Sequence, residues 1–165
     1  MSAKALAIVS GVPQATDHYL YPANDVHLTV ANLDGSHVDP SKLSEACATA
    51  ARSITPFPVE LRGIRMTKYS VYLQAWDTAG SLQQLRDAVA EETGIQLALP
   101  RRLLGFVNLM RFESGDVREL SDGLARWRNV PIGMFEAQEF QIVRTDKVLS
   151  SGATEILGTV RLHGA

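Results

Sequence analysis

One cysteine, Cys47, stands among 165 residues, so no disulfide can close within the chain. A cytoplasmic setting, where thiols stay reduced, is therefore the expected location. Long apolar runs are scarce as well. The run near the start, Ala5 to Val9, is too short for a signal-peptide core and far too short to span a bilayer, so no membrane association is expected. Charge of one sign is missing too: 16 basic against 18 acidic residues give a formal charge of −2. No broad field favours DNA or an anionic membrane, and any nucleic-acid binding would be local. The sequence contains no H-E-x-x-H, no C-x-x-C, no phosphate-loop G-x-x-x-x-G-K-[ST], no dinucleotide fingerprint and no G-x-S-x-G. Neither a metal nor a cofactor is expected, and the common nucleotide-binding and hydrolase scaffolds are disfavoured.

What is present is ordinary globular composition, 45% hydrophobic and 21% charged. Without a repeat, low-complexity tract or linker, residues 1–165 read as a single domain large enough to bury a substantial core. Ala5 to Val9 reads as a buried strand and Gly11 to Asn24 as a loop. Val26 to Leu33 alternates well enough for a second strand. Asp39-Pro40 supplies an N-cap and a proline at the first helical position. Leu43, Ala46, Cys47, Ala50, Ala51 and Ile54 then recur at helical spacing until Pro56 and Pro58 end the helix. Cys47 lies on that stripe, which makes it core packing rather than a nucleophile.

Strands are expected over Val59 to Met66 and Ser70 to Trp76, joined by a tight turn at Thr67-Lys68. A helix over Ser81 to Thr93 begins with capping-box spacing at Ser81 and Gln84 and stops at Gly94. A strand over Gly105 to Phe112 and a helix over Ser114 to Trp127 come next. Two last strands, Phe135 to Thr145 and Glu155 to Leu162, flank a polar turn at Ser150-Ser151-Gly152. Helices interspersed with hairpin-linked strands predict an α+β fold with mostly antiparallel pairing.

His27-Leu28-Thr29-Val30 is the segment with chemistry in it. On a strand, alternation puts His27 and Thr29 on one face. The imidazole can move a proton while the hydroxyl donates to a phosphoryl oxygen. Alone, the same four residues also describe a half-buried histidine on a sheet surface. Tyr72 and Gln74 share parity on a central strand and could line a groove.

In these residues, and in the order of the elements after them, the chain resembles the 2H phosphoesterase superfamily, which includes RNA 2′,3′-cyclic phosphodiesterases and the so-called 2′-5′ RNA ligases. That family has two H-x-[ST]-x motifs, one on a strand of each of two pseudo-symmetric lobes. His27-Leu-Thr-Val30 matches the first. An Ala-rich helix, Pro56-Phe-Pro-Val-Glu-Leu-Arg-Gly63, the strand Val71-Tyr-Leu and the Leu82-Gln-Gln-Leu85 helix succeed it in family order. Gly105-Phe-Val-Asn-Leu-Met-Arg111 stands where the second motif belongs. The resemblance runs from about Val26 to Leu162 and rests on order and spacing more than on identical residues. It implies two lobes of mostly antiparallel sheet, helices on the outer faces and a central groove.

Phe106 and Asn108 occupy the places of the second histidine and hydroxyl. Phenylalanine transfers no proton, and losing one acid/base partner costs about 10²–10⁴ in rate. Asn108 can still donate to an oxyanion. Arg111 stands where the family often has a basic residue, suited to steering phosphate or equally to an exposed ion pair. His18, with Tyr19 and Tyr21 nearby, is a candidate displaced acid over the groove. His37 and His163 read as exposed and frayed. Arg101-Arg102 read as a solvated loop, and Arg62, Arg65 and Lys68 form a basic stretch without interleaved stacking aromatics.

Three functions stay open. The first is a divergent phosphodiesterase acting on 2′,3′-cyclic nucleotides or related diesters, with His27 and Thr29 catalytic. The second is an enzyme using His27 alone on a less charged small molecule. The third is a binding protein for a nucleotide or another ligand. The partner in each case is a small molecule or nucleotide, with an RNA end weakly supported.

Overall fold

The computed structural model describes residues 2–13, 15–33, 39–95, 104–113, 117–146 and 151–163. His37, Arg101, Arg102, Ser114 and Ser150 lie outside them. The chain forms two compact units. The first comprises Met1–Leu28, Glu60–Trp76 and Leu104–Phe135, and the second Thr29–Val59, Asp77–Leu103 and Glu136–Ala165.

The first unit is built on a five-stranded sheet of β1 (Tyr19–Leu20), β2 (Phe57–Met66), β3 (Ser70–Trp76), β4 (Leu104–Arg111) and β5 (Pro131–Ala137), in the order β1-β4-β3-β2-β5. The β1/β4, β4/β3 and β3/β2 pairs are antiparallel, as the sequence predicts. Alternation is clean on β3. Val71, Leu73 and Ala75 are buried, while Tyr72 and Gln74 remain half-buried on the other face. Val107 and Leu109 of β4 join that core, as do Leu120 and Leu124 of α4 (Arg118–Leu124). Truncating a fully buried leucine such as Leu73 to alanine in such a core costs about 2–5 kcal/mol. The β2–β3 turn closes on Thr67, whose Oγ1 accepts from the backbone N–H groups of Tyr69 and Ser70, each at 3.0 Å.

Ala5 to Val9 is not a strand. It lies inside helix α1 (Ser2–Ser10), against β4, with Ala5, Leu6 and Val9 buried. Five apolar residues cannot distinguish a strand from a short helix by periodicity, and the interleaved alanines with Lys4 favour helix. The expected strand Val26 to Leu33 shrinks to a single bridge, Leu28 to Val107. Beyond it the backbone has another partner: the carbonyls of Thr29 and Val30 accept from the guanidinium of Arg86 at 3.4 and 2.8 Å.

The second unit holds α2 (Pro40–Arg52), α3 (Ser81–Thr93) and the antiparallel pair β6 (Glu139–Arg144) and β7 (Glu155–Arg161). Asp39 caps α2 through Ser41 N–H at 2.8 Å, with Pro40 at the first helical position, as expected. α2 packs on α3 and β7, burying Leu43, Cys47, Ala50 and Ala51. Burial pushes the Cys47 thiol up from its ordinary range, which suits packing and not nucleophilic attack. The expected Ser81–Gln84 box does not cap α3. The buried carboxylate of Asp77 accepts from Ala79 N–H at 3.0 Å and Leu82 N–H at 2.6 Å instead. Gly94 does end the helix in the left-handed region, at φ 67°.

Candidate functional site

After Tyr21 the chain turns, with Asp25 N–H donating to the Pro22 carbonyl at 2.9 Å. That turn brings the Asp25 carbonyl to 2.6 Å from His27 Nδ1. A carbonyl only accepts, so Nδ1 carries the hydrogen and Nε2 of the neutral ring is left as the acceptor. The ring also meets that of Tyr21 edge-on, with centroids 6.2 Å apart. Tyr21 is buried, and its hydroxyl accepts from Arg111 Nε at 3.2 Å. His27, Tyr21 and Arg111 therefore form one connected corner.

Register places the rest of the face. The antiparallel Leu28–Val107 bridge sets His27 opposite Asn108. Asn108 pairs with Tyr72, and Phe106 with Gln74, so these four side chains share the half-buried face of the sheet. Strict alternation from Phe106 would send Arg111 to the core face. A β-bulge in β4 at Leu109, opposite the Val71–Tyr72 step of β3, shifts the register, so that Arg111 pairs with Ser70 and returns to the face of Asn108. Phe106 and Tyr72 meet edge to face at 5.0 Å and 89°, an apolar strip beside the polar corner.

The other two sequence candidates behave differently. Thr29 begins the second unit, in no strand, with an exposed side chain and its carbonyl held by Arg86. His18 is not brought to the group. It is only 9% exposed, packs on Phe112 with centroids 5.1 Å apart, and neither ring nitrogen has a hydrogen-bond partner among the described residues. Alternation along Tyr19 and Leu20 places it on the side opposite to Tyr19 and Tyr21.

Two arginines take places that motif spacing does not point to, Arg65 and Arg86. A second bulge, between Leu61 and Ile64, pairs Arg65 with Tyr72 and thus puts it on the half-buried face. Its guanidinium donates to Gln74 Oε1 at 3.2 Å and Asn129 Oδ1 at 3.1 Å. Gly63 is the available signal, since a glycine inside a strand marks a bulge, and it adopts φ 78°. Arg86 offers no such signal, because its buried role depends on a carbonyl distant in sequence. Among the described residues no three His, Cys, Asp or Glu side chains are grouped to hold a metal, and no helix is long and apolar enough to cross a membrane.

The fold is similar to that of several solved structures. TT0787 of Thermus thermophilus is 18% identical at a TM-score of 0.65, covering 99% of this chain and 92% of its own. E. coli LigT, crystallised with ATP, is 16% identical at 0.65, covering 98% of this chain and 90% of LigT. A protein described as a phosphoesterase is 15% identical at 0.68, with 98% and 91% covered. Identities this low establish the shared fold alone. No functionally curated protein matches the chain by sequence. The model of the 2′-5′ RNA ligase superfamily does match, over residues 3–114, more than half of the chain, and on that match the chain belongs to the 2′-5′ RNA ligase superfamily, the 2H phosphoesterases.

Proposed function

We propose that the protein is a divergent phosphodiester hydrolase of the 2H type, acting on 2′,3′-cyclic nucleotides or related diesters with one catalytic histidine. The observation that carries this reading is the tethered tautomer: Nδ1 of His27 is committed to the Asp25 carbonyl, leaving Nε2 to handle a proton. In the reaction, Nε2 takes a proton from water as its oxygen attacks phosphorus. The bond from phosphorus to one ester oxygen breaks, that oxygen takes a proton from solvent, and the imidazolium returns its proton to solvent. Asn108 and Arg111 donate to the non-bridging oxygens. Phe106 in the second motif leaves no side chain to protonate the leaving oxygen, so turnover is slow by the standard of a two-histidine site.

The crystal structures of E. coli LigT with ATP, phosphate and NADP+ add support for an anionic ligand in this fold. The substrate is accordingly a nucleotide or an RNA end, and we read the whole chain as one such domain working in the cytoplasm. A second reading has its own support. The Phe106–Tyr72 pair suits the apolar ring of a ligand, and with His27 alone beside it the site would bind without turnover or act on a less charged molecule.

Hydrolysis of 2′,3′-cyclic nucleotides, followed by ³¹P NMR at high enzyme concentration, separates the readings. The expected result is slow ring opening that His27→Ala reduces by about 10²–10⁴. Ring opening that persists unchanged in His27→Ala, or none in the wild type, would contradict the hydrolase.

A further inference from the structure

Arg65 is a half-buried cation held by two neutral amide oxygens, those of Gln74 and Asn129. No carboxylate among the described residues pairs with it, and its Nη1 is uncommitted there. A partly desolvated guanidinium normally sits against a counter-ion, because taking the charge out of water is costly. Here the two amides fix the plane of the fork without neutralising it. Beside it, between β2 and α4, lies a cleft of about 220 Å³ lined by Ile64, Arg65, Met66, Ser121, Leu124 and Arg128. It offers two arginines and a hydroxyl and no acid. Arg128 likewise has no carboxylate partner among the described residues.

The backbone is arranged around the same place. A Cβ on Gly63 would lie 2.5 Å from the Arg128 carbonyl oxygen and 2.7 Å from Gln74 Oε1. Only a glycine lets the residue that holds Arg65 and the residue that lines the far wall close in together. Arg65 pairs across the sheet with Tyr72, and Tyr72 with Asn108, so one wall of the cleft belongs to the face that carries His27.

From this geometry we infer that the Arg65–Ser121–Arg128 cleft is a second oxyanion site. It takes a phosphate that the ligand carries beyond the diester at His27. The inference rests on the phosphoester reading and adds a substrate class to it: nucleotides with two separated phosphoryl groups, for which arginine forks are the fitting receptors.

The test is calorimetric binding of a dinucleotide ending in a 2′-phosphate, with and without a 5′-phosphate, to the full chain. In the wild type the 5′-phosphate is expected to tighten binding about tenfold, the scale of one charge-assisted contact. Arg65→Gln and Arg128→Gln should each shrink that gain and the double variant abolish it, while the 5′-hydroxyl ligand binds all of them alike. Arg65→Lys, which keeps the charge but not the fork, should fall between. The 5′-phosphate gain should survive in His27→Ala. Equal binding of the two dinucleotides, or arginine variants that weaken both alike, would overturn this inference alone. Binding of neither would overturn it together with the reading it rests on.

Discussion

On the half-buried sheet face of the first unit, the corner around His27 and the strip around Phe106 lie side by side with opposite chemistry. At the corner a backbone carbonyl fixes the imidazole tautomer, and Tyr21 ties that ring to the Arg111 guanidinium. Along the strip Phe106 and Tyr72 pack edge to face. One strand, β4, supplies Asn108 and Arg111 to the first and Phe106 to the second. On the proposed function, the contrast teaches that a sheet face can offer donors for a phosphoryl group beside a strip that offers no proton to a leaving oxygen. Binding and proton transfer are separable, since each needs different side chains at different register positions.

Filling the strip with the missing chemistry should have the largest effect. Phe106→His combined with Asn108→Thr is expected to raise the rate on 2′,3′-cyclic nucleotides by about 10²–10⁴, measured as kcat/KM. An unchanged rate would mean that leaving-group protonation does not limit the reaction.

Gly63→Ala attacks the framework behind both regions. Its φ of 78° and the 2.5 Å approach to the Arg128 carbonyl predict a loss of about 1–3 kcal/mol, read as a lower Tm and a lower denaturant midpoint. His18 sharpens the comparison between histidines. Both of its nitrogens are buried without partners among the described residues, so His18→Leu removes an unsatisfied group worth about 1–3 kcal/mol. A raised or unchanged Tm and unaltered turnover are expected, against the loss of turnover in His27→Ala. Least of all should Cys47 react. Because burial raises its pKa, the thiolate fraction at neutral pH lies below that of a free thiol, and iodoacetamide should label it slowly until the protein unfolds.

Local chemistry explains what the sequence shows and what it hides. The Asp39-Pro40 start of α2, the β2–β3 hairpin and the Gly94 stop each depend on residues close together in the chain, and each is legible. α1 passes for a strand because five apolar residues carry too little periodicity. The strand through His27 looks longer than it is because Arg86, far along the chain, takes the carbonyls a ladder would have used. Asp77 displaces the expected cap on α3 for a related reason, since its carboxylate reaches the helix start from outside the box. In the site, the common face of Phe106, Asn108, Tyr72 and Gln74 follows from simple alternation. Arg65 and Arg111 do not follow from it, because each reaches that face only past a bulge, and a bulge is a property of two strands.

The most direct measurement is a ¹⁵N NMR titration of histidine-labelled protein with a nucleoside 2′-monophosphate. Free His27 is expected to be the Nδ1–H tautomer, and its Nε2 resonance alone to move as the nucleotide binds, with His18 and His163 unmoved. A bound nucleotide that leaves the His27 resonance where it was would contradict the assignment of His27 to the phosphoryl site.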